Sequence, residues 1–337
     1  MTNGNIKKIL VTGGAGYVGA VLVPKLLNNG FQVVVLDAMF FTDLGLRPVQ
    51  SNSNLRVIVG DIRNASNVKE ALNDVDAVIH LASISNDPSG DLNPQLTVEV
   101  NFNATVALAK VAKALGVKRF VNVSTSSVYG IKDEGDVTEE LSLEPLTIYS
   151  KTKADAEFLV TALASPKFSV VTIRPATVCG YSPRMRLDLS VNVLTMHAIT
   201  RGIITVFGGK QKRPNIHIDD ITDYYVDLLK LPPNKINGGI YNAGYENYTI
   251  MEIAEMVRDI IGSEVKIEVA QTNDNRSYHV SSEKIKHELG LYPKKTLRDA
   301  VLDIKSASDK GKIDWSDINF YNVKKMKQLI EEGEIAQ

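Results

Sequence analysis

Residues 8–12, Lys-Ile-Leu-Val-Thr, read as a short buried strand, and a glycine-rich turn, Gly13-Gly14-Ala15-Gly16-Tyr17-Val18-Gly19, follows it directly. An apolar helical pattern then runs through Leu27 and closes at Asn29-Gly30, with Pro24 inside it as an element that bends or weakens the helix. Few local patterns constrain a fold as tightly. Glycines between a strand and a helix permit a tight turn and let a pyrophosphate approach the backbone amides at a helix N-terminus. Two frames fit, Gly14-x-Gly16-x-x-Gly19 and Gly13-x-x-Gly16-x-x-Gly19. Asp37 ends the next strand, 18 residues after Gly19, where a carboxylate bonds adenosine ribose hydroxyls. A 2′-phosphate there would meet a like charge, so the pattern predicts NAD rather than NADP. The plainer alternative is a turn made of glycines with Asp37 as a strand cap. Asp61, after the third strand, either contacts adenine or caps the next helix.

The pattern repeats. Apolar strands at 32–36, 55–59, 77–81, 120–123 and 169–173 alternate with helices at 64–72, 94–115 and 149–164. Nearly continuous apolar strands between helices indicate an α/β fold, a doubly wound parallel sheet covered on both faces (Rossmann type). After Arg174-Pro175 the regularity weakens. The stretch 177–213 reads as loop plus one helix at 191–200. Beyond it come a helix at 218–230, a returning strand at 239–242, a helix at 249–261, a strand at 265–269, then short helices and an acidic tail. The expected organisation is a cofactor domain of residues 1–174 and 214–245, with a smaller, interleaved C-terminal substrate domain of 175–213 and 246–337. At 337 residues the chain has room for about two such units.

Bulk properties narrow the function. A net charge of −1 gives no global basic field, so neither nucleic acid nor a membrane surface is an expected partner. No apolar run approaches the ~18 residues of a membrane span. The N-terminus lacks a signal-peptide pattern, and one cysteine, Cys179, precludes an internal disulfide. A cytoplasmic location is expected.

Tyr149-Ser150-Lys151-Thr152-Lys153 carries the chemistry. A tyrosine and a lysine four residues apart share a helix face. An ammonium that close favours the phenolate and lowers the phenol pKa from its reference near ~10. Such a phenol can exchange a proton with a sugar or alcohol hydroxyl. Val123-Ser124-Thr125-Ser126-Ser127-Val128-Tyr129-Gly130 closes the fifth strand, and ligands in an open parallel sheet bind outside the carboxyl ends of strands.

The glycine turn, the hydroxyl run and Tyr149-x-x-x-Lys153 together resemble the extended short-chain dehydrogenase/reductase family, in its nucleotide-sugar epimerase/dehydratase branch. The resemblance covers roughly residues 6–305. Its further markers are His80-Leu81-Ala82-Ser83, Asn101, Arg174-Pro175, His217-Ile218-Asp219-Asp220 and Tyr241-Asn242-Ala243-Gly244. It implies a catalytic set of Thr125, Tyr149 and Lys153, with Ser124 either assisting Thr125 or bonding to the backbone. It implies an NAD site of Gly13, Gly16, Tyr17, Val18, Gly19, Asp37, Asp61, Ile62, Leu81, Ala82, Asn101, Tyr149 and Lys153. It implies a nucleotide diphosphate sugar as partner, with Arg213 and Arg276 on the diphosphate and Ser126 at the sugar. Arg184 and Arg186 have no firm counterpart. They read as solvated loop charges, with a sugar or phosphate contact the alternative, and Arg184 is carried as a substrate candidate. A homodimer through the Tyr149 helix and the helix around residues 101–115 is a further implication, as is a structural role for His217. No metal spacing connects His80, His197, His217, His279 and His287.

Relatives that eliminate water place an Asp-Glu pair after the catalytic threonine, and decarboxylating relatives usually carry Glu where Ser127 stands. Here Ser126 and Ser127 occupy those positions. The expected reaction is therefore epimerisation through a transient 4-keto sugar. A 4,6-dehydratase or 4-ketoreductase is the alternative enzyme, and a cofactor-sensing regulator the alternative outside catalysis. Two departures bear on the sugar. Asp87, in Ser85-Asn86-Asp87-Pro88-Ser89, is either an extra acid/base or a turn residue. Cys179 stands where the family often has tyrosine and reads by default as a buried inert thiol.

Overall fold

The computed structural model describes residues 6–132, 135–272 and 279–335. The chain forms β1 (Lys8–Thr12), α1 (Gly19–Asn28), β2 (Gln32–Asp37), β3 (Leu55–Val59), α2 (Ala65–Ala71), β4 (Ala77–His80), α3 (Asp87–Gly90), α4 (Pro94–Val98), α5 (Thr105–Ala114), β5 (Arg119–Val123), α6 (Ile148–Thr161) and β6 (Ser169–Pro175). It continues with β7 (Thr177–Cys179), α7 (Ser190–Arg201), β8 (Ile203–Phe207), β9 (Lys212–His217), α8 (Ile218–Lys230), α9 (Pro233–Ile236), β10 (Gly239–Ala243), β11 (Glu246–Thr249), α10 (Ile250–Ile261), β12 (Lys266–Ala270), α11 (Glu283–Leu289), α12 (Leu297–Asp309) and α13 (Asn322–Glu331).

Seven parallel strands make the large sheet, in the order β10-β6-β5-β4-β1-β2-β3. Strand order reverses at β1, which pairs with β2 on one side and β4 on the other. Such a switch point opens a crevice beyond the strand C-termini. Register puts those ends level: Thr12 lies beside Leu36 and His80, Asp37 beside Val59, and Val123 beside Ile173. Both faces are apolar, with Ile9, Val11 and Val35 in one cluster and Leu10, Val34 and Leu36 in the other. The alternation along each strand thus feeds two helix layers. Buried His80 ties the layers together, its Nδ1 2.7 Å from Thr12 Oγ1 and its Nε2 2.8 Å from Thr105 Oγ1. Burial, with Lys153 adding, pulls its pKa down to about 3, so the ring is neutral.

Two expectations need correction. The stretch 177–213 holds β7, β8 and the start of β9 as well as its helix. β9 is the middle strand of a β11-β9-β7 sheet and β8 pairs with β12. Pro214 inside β9 and the three-residue length of β7 hide both from pattern reading. The helix expected at 94–115 is interrupted by a π-helical stretch, Glu99–Ala104, which holds Asn101. In the acidic tail, Met326, Leu329 and Ile335 are buried in the core of the large sheet.

Candidate active site

A cleft of about 350 Å³ opens over the C-terminal ends of β1, β2, β4, β5 and β6. Gly13, Gly16 and Gly19 line it and Gly14 does not, so the wider glycine frame faces the cavity. Gly13 has φ +71°, and a Cβ there would stand 2.7 Å from the Ala82 amide nitrogen. A Cβ on Gly19 would stand 2.5 Å from the Gly14 carbonyl. Gly14 instead backs onto Val35. No side chain caps α1 and no acidic residue stands in its first turn, so its positive end carries no counter-charge of its own. Asp37 accepts hydrogen bonds from the amides of Ala15 and Met39, both at 2.9 Å. Burial raises its pKa, against those amides and Arg184, which lower it. A glycine cradle at a helix start with a carboxylate on the next strand fits the pyrophosphate and ribose of a dinucleotide.

Tyr17 and Val18 also line the cleft, and the Tyr17 phenol is already engaged. It donates to the Gly180 carbonyl at 2.7 Å and accepts from Asn192 Nδ2 at 3.1 Å, pinning the glycine turn to the loop after β7. Asp61, Ile62, Leu81 and Ala82 line the same cavity. Asp61 is clasped by Arg63, whose Nη2 lies 2.8 Å from it. Asn101 is buried behind the wall: its amide accepts from the Ile84 amide at 2.8 Å and donates to the Ile84 carbonyl at 2.9 Å. It shapes the loop after β4.

At the opposite end α6 brings Tyr149 and Lys153 to the cavity. The helix begins on a reciprocal cap. Thr147 Oγ1 accepts from the Ser150 amide and Ser150 Oγ accepts from the Thr147 amide, each at 3.1 Å. Positions 149, 153 and 157 follow at i, i+4 and i+8 on one face. Lys153 Nζ donates to the Val123 carbonyl at 2.5 Å, at the end of β5. Burial lowers its pKa to about 8, with Glu157 opposing. Glu157 forms a buried pair with Arg174, Nη2 to Oε1 2.5 Å. Arg174 also donates to the Tyr129 hydroxyl at 2.6 Å, and that hydroxyl donates to Asn242 Oδ1 at 2.7 Å. Helix, β6, the hydroxyl run and β10 are thereby joined.

Thr125 is 8% exposed, lines the cleft, and accepts from the Ser127 amide at 3.2 Å. Ser124, Ser126 and Ser127 line the cleft too, and buried Ser124 Oγ has no hydrogen-bond partner among the described residues. Asp87 starts α3 beside Pro88, as a turn residue would, but it also accepts from Thr147 Oγ1 at 2.6 Å and lines the cleft. Its neighbour Asn86, at φ +75°, contacts Asp188. The Cys179 thiol is fully buried, stands outside the described lining, and is pushed up in pKa by that burial.

The arginines depart most from expectation. Arg184 and Arg186 are not solvated: Arg184 is 2% exposed and Arg186 is gripped by Asp188, Nε to Oδ1 2.9 Å and Nη2 to Oδ2 3.1 Å. Both line the cleft. Arg184 lies toward the Asp37 end, over the Phe41 ring at 4.0 Å. Arg213 lies on β9, away from the described lining. Arg276 lies outside the described residues. Phe40, Phe41, Asn322 and Met326 line the cavity and escaped the sequence reading. The Phe40-Phe41 pair just after Asp37 is a signal that was available; the last two have none. His217 caps α8 by accepting from the Asp219 amide at 3.0 Å. With Asp219 and Asp303 it makes a possible cation-binding group, but Lys295 Nζ already sits 2.7 and 3.0 Å from those two carboxylates.

This arrangement, a switch-point crevice with a glycine cradle at one end and a Tyr-Lys helix beside a hydroxyl at the other, defines a dinucleotide-dependent enzyme of the short-chain dehydrogenase type. The chain belongs to the NAD dependent epimerase/dehydratase family, whose sequence profile matches residues 9–244. It is 32% identical over 308 residues to UDP-glucuronic acid decarboxylase 1 of Arabidopsis thaliana, covering 87% of this chain and 68% of that one. It is 30% identical over 320 residues to UDP-glucose 4-epimerase of Corynebacterium glutamicum, covering 88% and 94%. Among solved structures it is similar to UDP-glucuronic acid 4-epimerase from Bacillus cereus in complex with UDP-glucuronic acid and NAD. There the TM-score is 0.81 at 30% identity, over 90% of this chain and 99% of that one. No helix among the described residues is long and apolar enough to cross a membrane.

Proposed function

We propose that this protein is an NAD-dependent nucleotide-sugar epimerase that acts through a transient 4-keto sugar. The observation that carries the reading is the set of groups around Tyr149: Thr125, Ser126, Ser127 and Lys153 line one end of the cleft, with hydroxyls where a water-eliminating relative has carboxyls. When bound, NAD takes hydride from the sugar carbon and returns it. The residues supply the rest. Tyr149, as phenolate, removes the proton from the C4 hydroxyl and gives it back after the keto sugar turns over. Thr125 hydrogen-bonds the same oxygen and stabilises charge there. Lys153, fixed on the Val123 carbonyl and one turn along the same helix face, supplies the positive charge that favours the ionised phenol. Asp37 receives the adenosine ribose, and its charge selects NAD over NADP. Arg213 and Arg276 are assigned to the sugar-nucleotide diphosphate, where guanidinium forks suit phosphate oxygens. A homodimer across α5 and α6 goes with this reading, and Phe158 on α6 is 76% exposed.

The test is isotopic and stoichiometric. In deuterated water the protein should interconvert C4 epimers with no deuterium at carbon five and no net change in NAD. Deuterium at carbon five points to a dehydratase instead, and net consumption of reduced cofactor points to a ketoreductase.

A further inference from the structure

Beyond the residues that match the family profile, the chain turns back onto the large sheet. α13 packs on α3 at the cleft, and Met326 and Leu329 are buried in the apolar cluster of the large sheet. Asn322, at the start of α13, and Met326, one turn on, line the cavity at its Asp37 end.

Arg184 meets α13 there. Its Nη2 donates to Asn322 Oδ1 at 2.7 Å, and its guanidinium carbon lies 4.0 Å from the Phe41 ring centroid. It is the largest buried side chain of the described residues, yet its Nε has no hydrogen-bond partner among them. Asp37, Asp188 and Asp317 stand near enough to favour its charge electrostatically, and neighbouring Arg186 opposes it. A buried cation with a partnerless N–H is costly, and proteins keep such groups where a ligand supplies the acceptor. The stacked ring and the Asn322 amide fix the guanidinium in advance, which is the arrangement expected of a binding group. Asp37 and Arg184 together offer an acceptor and a donor, and a ribose diol needs both.

We propose that Arg184, held by Phe41 and by Asn322 of α13, binds the adenosine ribose of the dinucleotide, so that the C-terminal helix completes the cofactor site. The proposal rests on the NAD reading above. It moves Arg184 from the sugar nucleotide to the cofactor. Asn322 is then a positioning residue that works through Arg184.

Calorimetric titration of the full-length, nucleotide-stripped protein with NAD and, separately, with UDP tests this. Arg184→Gln should weaken NAD at least tenfold and leave UDP binding and the melting temperature near wild type. Asn322→Ala should weaken NAD several-fold, and should add nothing in the Arg184→Gln background. If Arg184→Gln fails to fold, Arg184→Lys, which keeps the charge but not the fork, should show the same selective loss. An unchanged NAD affinity in a folded Arg184 variant overturns the proposal, as does a loss confined to UDP. Failure of the wild type to bind NAD would remove the underlying reading itself.

Discussion

The two ends of the cleft are held by different means. At the β5 end the helix that carries the reacting groups is tied to the sheet by two sets of bonds. Lys153 is fixed on the Val123 carbonyl, Glu157 on Arg174, Arg174 on Tyr129, and Tyr129 on Asn242. At the β2 end, Asp37 is held by two backbone amides, and the wall above it comes from Phe41, Arg184 and Asn322, three distant segments joined by one hydrogen bond and one ring contact. Proton exchange demands a phenol placed to a fraction of an ångström, and a helix anchored to the sheet through Lys153 and Glu157 serves that placement. Holding a cofactor demands enclosure, which can be assembled from remote pieces.

Breaking the first end should have the larger consequences. Tyr149→Phe should cut turnover about 10³-fold, the scale of a lost general acid/base, while NAD is still bound. Retained turnover in steady-state kinetics would remove Tyr149 from the chemistry. Glu157→Leu leaves Arg174 buried without its carboxylate and should cost about 3–5 kcal/mol in denaturant unfolding. Adding Arg174→Met should recover much of that loss, because the stranded charge goes too. A Glu157→Leu loss under about 1 kcal/mol would mean the network does not secure the helix.

Lys153→Met should stabilise the fold while abolishing turnover. Burial takes the ammonium from 10.5 to about 8, so carrying it charged at pH 7 costs on the order of 3 kcal/mol, less what relaxation recovers. Between those two values the unfolded chain binds more protons than the folded one, so wild-type stability rises with pH there. The advantage of the Met variant is therefore full below pH ~8 and gone by about 10.5, which unfolding curves across that window would show. Thr147→Val, which removes the cap of α6 and its bond to Asp87, should cost about 1 kcal/mol and disturb the chemistry only through helix placement.

The two ends also differ in how far the sequence reveals them. The glycine turn, Asp37, Thr125 and the Tyr149–Lys153 spacing are local patterns, and each is positioned by the strand or helix that carries it. The seven-stranded sheet follows for the same reason, since every strand is a short apolar run between helices. Arg184 reads as a loop charge or a substrate contact because nothing in Ser182-Pro183-Arg184-Met185-Arg186 announces that Phe41 and Asn322 will enclose it. Asn101 reads as a cofactor contact in sequence; in the structure its amide bonds the Ile84 backbone from within a π-helical turn that no periodicity reveals. Pro214, which argues against a strand, lies inside one where only β11 pairs beside it, since β7 joins β9 from Asn215 onward. Long-range pairing decides these positions.

The most direct test of the central claim is to incubate the purified protein and NAD with a panel of nucleotide diphosphate sugars and identify the products by NMR. One substrate should be converted to its C4 epimer at equilibrium, with the carbon skeleton and all hydroxyl groups retained. A product that has lost water or carbon dioxide, or one formed only as reduced cofactor is consumed, would contradict it.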